Sequence, residues 1–283
     1  MIHTAKQLKD KVRNISHGDN EIAQMLIRNF VMERFLERLS LSDYKNRFIL
    51  KGGMLVAALV GIDARATMDI DTTVKALPLN EEDAARIIKE IIAAPVEDGV
   101  SFEITKVSNI MTDFEYPGIR MMLEAKLDRL KQRIKIDIST DDVITPSAIR
   151  YEYPLMFEDR RIELVTYTTE TLLAEKIQTI LIRGITTTRM RDFYDIYEIV
   201  SSDKIKPDPK VLAEAFAATC VKRKTVFTPS QMEETLKAVV QDKGLAKLWT
   251  LYRKDNFYVG ELEWASVCQI VSAYIKEKVV LKL

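Results

Sequence analysis

The sequence predicts an α+β fold, in which a part with strands and helices precedes a part made only of helices. Segments in which apolar and polar residues alternate with period two occur, among helical patterns, before about residue 167, whereas spacings of three and four dominate afterwards. Only 9 of the 283 residues are glycine, which favours long helices over tight turns. We therefore expect two domains, 1–167 and 168–283.

Composition narrows the chemistry that the chain can perform. The histidines, His3 and His17, lie near the N-terminus, and Cys220 and Cys268 are far apart. Zinc sites need clustered Cys and His, and Ser-His or Cys-His catalysis needs a positioned imidazole. Unless a histidine folds back into a distant site, carboxylates together with Lys and Arg must carry any catalysis.

The charge balance and the apolar segments indicate a soluble, cytoplasmic protein. The 42 Lys and Arg residues match 42 Asp and Glu, which argues against a generic polyanion binder but allows a local basic groove. The N-terminus lacks the apolar core of a signal peptide, and the longest strongly apolar run, 54–62, is too short to span a bilayer. We expect no membrane association.

The first predicted elements are a helix and a strand–turn–helix unit. Apolar residues recur at helical spacing over 20–39, and Asp19 or Asn20 can cap this helix. The short run Phe48–Lys51 predicts a strand, which leads through Gly52 and Gly53 into a helix over 54–60.

Alternating patterns predict most of the remaining strands. Residues 68–74 alternate with period two, and 79–93 reads as a helix with an Asn80 cap and an acidic first turn. Further strands are predicted at 102–107, 119–127 and 133–138, and a hairpin at 155–157 and 162–165 around the charged turn 158–161. Helices are predicted at 168–183, 188–200, 209–220, 229–240 and 261–278.

Asp69 and Asp71 are the leading candidates for a metal site. They are two residues apart on a predicted strand, so their side chains share one face, at a spacing suited to one or two divalent cations. The alternative is an ordinary exposed strand face. Asp137 sits in a similar strand, two residues after Lys135, and either binds a cation or pairs with Lys135 or a neighbouring Arg.

Two further patterns could bind phosphate. The Gly52-Gly53 turn would let backbone N–H groups approach an anion at a helix N-terminus, although a lone Gly-Gly is more often a plain turn. Asp192 and Asp195 share a helical face with Arg189, in an apolar setting. These charges form either a salt-bridge network that closes a helix pair or a cationic clamp for a triphosphate.

Five motifs follow one another along the chain. They are Lys51-Gly52-Gly53, Arg65-x-Thr67-x-Asp69-x-Asp71, Lys135-x-Asp137, Leu173-Ala174-Glu175-Lys176, and Arg189-x-Arg191-Asp192 with Asp195. In this order they resemble the motifs of the AbiEii/AbiGii toxin family of nucleotidyltransferases, over about residues 45–200. The resemblance implies a DNA polymerase beta-like nucleotidyltransferase core, a mixed sheet with helices, followed by a C-terminal helical bundle.

The resemblance also implies a function. It is that of a Mg²⁺-dependent nucleotidyltransferase of class 2.7.7, the toxin of a type IV toxin–antitoxin system associated with abortive phage infection. The enzyme would transfer a nucleoside monophosphate from an NTP, with GTP or CTP as candidates, to an acceptor expected to be RNA, in particular tRNA. Its partner would be a cognate antitoxin encoded nearby, and we expect a monomer.

Residue roles carry over motif by motif. The implied metal ligands are Asp69, Asp71 and Asp137, which with Lys176 and Asp192 are also the implied catalytic groups. The implied nucleotide-binding residues are Lys51, Gly52, Gly53, Lys135, Arg189 and Arg191. The chain has Met54 where many nucleotidyltransferases have Ser, so a hydroxyl contact to phosphate is lost and backbone N–H groups must hold it.

Two alternatives stay open at the level of sequence. One is a nucleotide-binding regulatory protein without transfer activity, which Met54 favours and the intact aspartates disfavour. The other is a phosphotransferase that modifies a protein with the same metal–phosphate apparatus. Basic clusters, 129–135 and 222–224, could form a groove for RNA or could be plain solvated surface.

Overall fold

The fold is built on a mixed sheet of seven strands. The computed structural model describes residues 1–61, 65–75, 80–111, 117–140 and 142–282. Its strands are β1 Phe48–Lys51, β2 Asp69–Val74, β3 Val100–Met111, β4 Pro117–Leu127, β5 Leu130–Thr140, β6 Ile149–Pro154 and β7 Arg161–Thr166. The order across the sheet is β3-β4-β5-β2-β1-β7-β6. β1 is parallel to β7 and β2 is parallel to β5, while the other neighbours are antiparallel.

Helices precede, interrupt and follow the strands. They are α1 Ala5–Ser16, α2 Asn20–Leu41, α3 Gly52–Val60, α4 Glu81–Ile92, α5 Thr169–Arg183, α6 Met190–Ser201, α7 Pro209–Lys222, α8 Pro229–Gln241, α9 Lys243–Asp255 and α10 Trp264–Lys278. The predicted α+β class, with helices alone in the C-terminal part, is confirmed.

Contacts divide the chain into two compact units. Unit 1 comprises Met1–Ala58, Ala66–Asp142 and Ile149–Thr166, and unit 2 comprises Leu59–Arg65, Val143–Ala148 and Tyr167–Leu283. Unit 1 contains the sheet with α1, α2 and α4, and unit 2 contains α5 to α10. The predicted domains 1–167 and 168–283 stay a prediction.

On β4 and β5, one face of the sheet is the core and the other is polar. The core side chains on β4 and β5 include Met121, Leu123 and Ile136, which are fully buried. α2 packs against β5 and β7, and α4 packs against β3 and β4. Because successive residues of a strand point to opposite faces, the residues between these apolar ones, such as Arg120 and Lys135, lie on the polar face.

α2 carries buried charges as well as apolar residues. Its N-terminus is capped by Asp19, which accepts hydrogen bonds from the N–H groups of Glu21 and Ile22, as the sequence predicts. Arg38 binds both oxygens of buried Asp98, at 2.7 and 2.8 Å. A buried charge is tolerated only when it is paired, so these contacts fix how α2 lies on the sheet.

The predicted hairpin is wrong in its first strand. Residues 155–157 belong to the turn between β6 and β7, and the strand that pairs with β7 is β6, upstream of them. The apolar side chains that suggested a strand contact α2 instead. Leu155 is buried, and the Phe157 ring lies 6.1 Å from that of Phe30. Apolar residues in a turn can thus imitate a strand when a helix covers them.

Two helices were not predicted, and each carries a start signal. α1 begins with a capping box formed by Thr4 and Gln7, the pattern of an N-cap with Gln at the third helical position. α9 begins after Asp242, which caps the N–H group of Leu245. Both helices bury few residues and are otherwise mostly polar, so few apolar residues mark them in the sequence.

Unit 2 has an aromatic core where α6, α9 and α10 meet. The ring of Phe193 lies 5.0 Å from that of Trp264, which in turn lies 5.6 Å from that of Trp249. Aromatic rings bury large apolar areas and stabilise one another at such distances. Within the described residues, no helix is long and apolar enough to cross a membrane.

Glu33 is a buried acid of α2 without a cationic hydrogen-bond partner among those described. Its carboxyl group accepts hydrogen bonds from Nδ2 of Asn29, at 3.0 Å, and from the backbone N–H of Met156, at 3.1 Å. Burial raises the pKa of Glu33 to about 8, and the hydrogen bonds and the neighbouring Arg34 offset this only in part.

The raised pKa of Glu33 predicts a pH-dependent stability. Between its ordinary value of 4.5 and about 8, the native protein keeps a proton that the unfolded chain releases. The free energy of unfolding therefore falls as the pH rises through this range. We expect Glu33→Gln to remove this loss, with a Tm higher than wild type by at least about 2 °C near pH 8.

Thermal unfolding of both proteins between about pH 5 and pH 8.5 is the measurement. Glu37→Gln is the matched control, because Glu37 lies one turn further along α2 but is ion-paired with Arg34 and Arg160. That variant should lose stability throughout. Parallel Tm curves for wild type and Glu33→Gln would contradict the raised pKa.

Candidate functional site

Strand register brings the acidic residues of unit 1 together. In the β1–β2 pair Lys51 lies beside Asp71, in the β2–β5 pair Asp71 lies beside Asp137, and in the β4–β5 pair Asp137 lies beside Arg120. Directly paired residues point to the same face of a sheet. Lys51, Asp71, Asp137 and Arg120 therefore form one row across four strands, and the pair of Asp69 with Lys135 lies in the next row.

The three aspartates form an acidic trio with the geometry of a metal site. Carboxylate oxygens of Asp69, Asp71 and Asp137 all lie within 4.8 Å of one another, and the three residues are half-buried. Oxygen ligands from carboxylates at this separation suit Mg²⁺, which keeps several water ligands and takes only a few from protein. The donor set thus fits a divalent cation.

Two cations neutralise the acidic trio. Nζ of Lys135 lies 2.6 Å from Asp69 and 3.8 Å from Asp137. Arg120 donates from Nε and Nη2 to the two oxygens of Asp137, both at 2.8 Å. The hydrogen bond with Asp137, together with the charges of all three aspartates, raises the pKa of Arg120.

Gly52 makes room for the acidic trio. It has a φ of +64°, and a Cβ atom there would lie 2.1 Å from Oδ2 of Asp71. Glycine alone meets both demands, the left-handed backbone and the close approach of a carboxylate. The Gly52-Gly53 turn is therefore shaped around Asp71. Met54, at the position where many nucleotidyltransferases have Ser, is fully buried in the core.

Lys51 has partners of its own on β5 and beyond its end. Its Nζ atom donates to Oγ of Ser139, at 2.8 Å, and to Asp142. Ser139 in turn donates to Asp142 at 2.8 Å. The ammonium group of Lys51 is thereby fixed next to the row that holds Asp71.

Unit 2 contains the remaining predicted residues in a buried ion-pair network. Nζ of Lys176 on α5 lies 3.0 Å from Asp192 and 2.6 Å from Asp195, both on α6. Arg189 binds Asp192 at 2.6 Å, and Arg65 binds Asp195 at 2.6 Å. The salt-bridge alternative that the sequence left open is thus present. It joins α5 to α6.

The charges in this network stabilise one another. Burial opposes the ionisation of Asp192, but Lys176 and Arg189 outweigh it and hold its pKa below the ordinary value. Burial likewise disfavours the ammonium form of Lys176, but Asp195 and Asp192 raise its pKa. Both groups are therefore charged at neutral pH. Arg191, on the same helix as Asp192, is exposed.

Sequence reasoning missed three residues that contact the predicted ones. Arg120, Ser139 and Asp142 each bind a residue of unit 1 that a motif identified. The alternation on β4 places Arg120 on the polar face, but its position opposite Asp137 depends on the β4–β5 register. A hairpin with its turn at 128–129 could have given that register.

The two predicted basic clusters differ. Lys131 and Arg133 are exposed on β5, on the same face as the acidic trio. Arg223 is instead largely buried, and its NH1 atom donates to Oε1 of Gln178, at 2.7 Å, and to Oγ1 of Thr179. Of the two alternatives that the sequence left open for 222–224, an RNA groove and plain solvated surface, neither describes Arg223, because its guanidinium group joins the end of α7 to α5.

Gly52→Ala should disrupt the acidic trio. The new methyl group would displace the Asp71 carboxylate, so Mn²⁺ affinity, measured by titration calorimetry, should fall about 10- to 100-fold, as when a group that orients a metal ligand is lost. Gly18→Ala is the control, because Gly18 also has a positive φ, +90°, but nothing lies within 4 Å of its Cβ position. Equal Mn²⁺ affinity in the two variants would contradict this account.

Solved structures are similar to the chain in fold, and a family model matches its sequence. Two solved structures from Helicobacter pylori are similar to the chain: a candidate nucleotidyltransferase, with a TM-score of 0.53 and 16% identity over 92% of this chain and 98% of that one, and JHP933, with a TM-score of 0.52 and 17% identity over 92% and 94%. At such identity they show the fold alone. No curated protein matches significantly.

The model of the family described as nucleotidyl transferase AbiEii toxin, type IV TA system, matches residues 34–272. Because this match spans most of the sequence, the chain belongs to the AbiEii family of nucleotidyltransferase toxins of type IV toxin–antitoxin systems.

Proposed function

We propose that the protein is a Mg²⁺-dependent nucleotidyltransferase that transfers a nucleoside monophosphate from an NTP to a hydroxyl group of an acceptor RNA. The observation that carries the proposal is the acidic trio, whose carboxylate oxygens lie within 4.8 Å of one another. The family supplies the class of reaction. We further propose that the ion is Mg²⁺, that the transfer is of class 2.7.7 with GTP or CTP as the donor, and that the acceptor is tRNA.

The reaction is an in-line displacement at the α-phosphorus. The acceptor oxygen forms a bond to the α-phosphorus, the bond from that phosphorus to the bridging oxygen breaks, and pyrophosphate leaves. When bound, Mg²⁺ neutralises phosphate oxygens and stabilises the charge that develops on them. Asp69 and Asp71 would hold the ion, and Asp137 would either complete its ligand set or take the proton of the acceptor hydroxyl group.

The remaining residues would bind the donor nucleotide. The backbone N–H groups of Gly52 and Gly53 open α3, where the helix dipole favours an anion. Lys51 and Lys135 place ammonium groups near the acidic trio. In unit 2, Lys176, Arg189 and Arg191 would neutralise phosphate charge, and Asp192 would position Lys176 through the contact at 3.0 Å.

Asp69→Ala should nearly abolish transfer while the protein keeps its fold. The loss of one electrostatic group at a reacting centre costs about 10²- to 10³-fold in rate, and Asp69 is only half-buried. The measurement is the incorporation of label into total RNA from each of the four labelled NTPs with Mg²⁺. Wild-type labelling by Asp69→Ala would contradict the assignment.

Glu103→Ala is the matched control for this experiment. Glu103 is an exposed acid on β3, on the same polar face but outside the acidic trio, and it pairs with Lys126. Its removal changes the charge by the same amount without touching the trio. Transfer should therefore stay near the wild-type rate, and circular dichroism should show both variants folded.

An RNA acceptor is supported by the polar face of β3, β4 and β5. Among the described residues this face carries six cations against two acids other than Asp137. The cations are Lys106, Arg120, Lys126, Lys131, Arg133 and Lys135, and the acids are Glu103 and Glu124. Such a surface attracts a phosphate backbone. The described part of the face has no aromatic side chain, so it would contact phosphates rather than stack bases.

The double substitution Arg133→Gln and Lys106→Gln should weaken RNA binding and its dependence on salt. Neither side chain has an ion-pair partner among the described residues, so both are available for phosphates. For single-stranded RNA, the slope of log K against log salt should fall in magnitude by about 1.4, or about 0.7 for each contact. Filter binding at several salt concentrations measures it. An unchanged slope would leave the face as ordinary surface.

Lys9→Gln with Lys11→Gln is the control for the salt experiment. Both lysines are exposed on α1, which packs against α2 and not on the strands of the polar face. The pair removes the same charge from the same unit. Its slope should equal that of the wild type, which separates a local contact from the effect of net charge.

The labelling experiment also separates the alternatives. A protein that binds nucleotide without transferring it would label nothing, and the buried Met54, which provides no hydroxyl group, is the feature that favours this outcome. Label on a protein, with none on RNA, would indicate a protein-modifying phosphotransferase. The family implies an antitoxin partner. That the antitoxin is encoded nearby and that the toxin acts as a cytoplasmic monomer are further parts of the proposal.

A further inference from the structure

Arg120 binds Asp137, one of the three ligands of the proposed metal site. Its guanidinium group contacts both oxygens of Asp137 at 2.8 Å, in the two-point geometry that is strongest for an Arg–carboxylate pair. The side chain is 38% exposed, so solvent and a ligand can reach it. No motif of the sequence identified this residue.

Arg120 and a divalent cation compete for the same negative charge. A carboxylate can accept more than one partner, so Arg120 does not block Asp137 completely. Its positive charge nevertheless repels a divalent cation bound to the acidic trio a few ångströms away. The repulsion is strong because the trio is half-buried and screening by water is reduced. A cation that binds the trio therefore weakens the hold of Asp137 on Arg120.

Guanidinium fits a phosphate as well as it fits a carboxylate. Its fork of N–H donors binds either group at two points, whereas an ammonium group acts as a single point charge. Asp137 and Arg120 are neighbours across the β4–β5 ladder, so the base of the side chain is fixed while its long end can turn. One residue can thus serve two anions in succession.

We propose that Arg120 is an exchangeable counter-charge, which holds Asp137 until a divalent cation binds the acidic trio and then binds a phosphate of the donor nucleotide. The proposal rests on the proposed function, because it assumes the metal site and the nucleotide. It makes Arg120 a nucleotide-binding residue that couples metal affinity to nucleotide affinity. Coupling of this kind is reciprocal, so each ligand must tighten the binding of the other by the same factor.

Arg133 provides the matched control. It lies on β5, on the same face as Arg120 and within two rows of Asp137, but it has no ion-pair partner among the described residues. Arg133→Gln removes the same charge from the same face without freeing a carboxylate. A difference between the two variants therefore reports the pair with Asp137 and not the general field of the surface.

The first measurement is Mn²⁺ binding to the full chain without nucleotide or RNA, by electron paramagnetic resonance. Arg120→Gln should bind Mn²⁺ about two- to fivefold more tightly than wild type, the range expected from the loss of one partly exposed ion pair. Arg133→Gln should change it less than twofold, roughly the scale of a distant surface charge. Unchanged or weaker binding in Arg120→Gln, or equal tightening in both, overturns the proposal.

The second measurement repeats the titration with a GTP analogue whose α,β-bridge is a methylene group. In wild type the analogue should lower the Kd for Mn²⁺ by a measurable factor. In Arg120→Gln this factor should be smaller. Arg120→Lys should restore part of it, because it keeps the charge but not the fork. A factor that is the same in wild type and Arg120→Gln overturns the proposal.

Asp71→Asn separates this proposal from the proposed function. If wild type and Asp71→Asn bind Mn²⁺ equally, the metal site fails, and both proposals fail with it. If Asp71→Asn loses Mn²⁺ binding but Arg120→Gln behaves as wild type, only the exchange fails. Thermal unfolding of each variant identifies any protein whose altered binding comes from loss of the fold.

Discussion

The parallel pairing of β2 with β5 is the constraint on which the candidate site depends. This register sets Asp71 beside Asp137 and Asp69 beside Lys135, and the antiparallel partners on either side add Lys51 and Arg120 to the same row. A shift of β2 by one residue against β5 would turn Asp69 and Asp71 to the opposite face, away from Asp137. The register is fixed because the alternate residues, such as Ile70 and Ile136, are fully buried. The packing of apolar side chains on one face of these strands thus positions the acidic trio on the other face.

Each unit satisfies its buried or half-buried acids with cations, but with different consequences. In unit 2, Asp192 and Asp195 are almost fully buried and share Lys176, so removing one partner would leave an uncompensated buried charge. In unit 1 the acidic trio is half-buried, and Arg120 remains partly exposed. Ion pairs in such a setting are weaker and can be exchanged for other ligands. Burial therefore makes the contacts of unit 2 costly to break, whereas those of unit 1 are more easily exchanged for a ligand.

Sequence reasoning works best where pattern and burial coincide. The helix α2, the strands β1 and β2 and the Asn80 cap of α4 followed from local spacing, because each buries a regular face or uses a short-range cap. It failed at 155–157, where apolar side chains pack under α2 from a turn, and at Arg120, whose partner is set by pairing between strands. The predicted helix 79–93 begins one residue outside the described range, and α4 itself starts at Glu81. Motifs identified the acidic trio, but no sequence pattern gives the distances between its oxygens.

The described polar face of β3, β4 and β5 carries no aromatic side chain, and this affects how the protein would select among RNA acceptors. A surface that holds only phosphates binds cognate and non-cognate strands about equally well, since base identity is read by stacking and by hydrogen bonds to base edges. If RNA lies there, acceptors would differ in kcat and not in Kd. Abundant RNAs that cannot accept a nucleotide would then act as competitive inhibitors, and the concentration of such RNA would set the rate at which the toxin works.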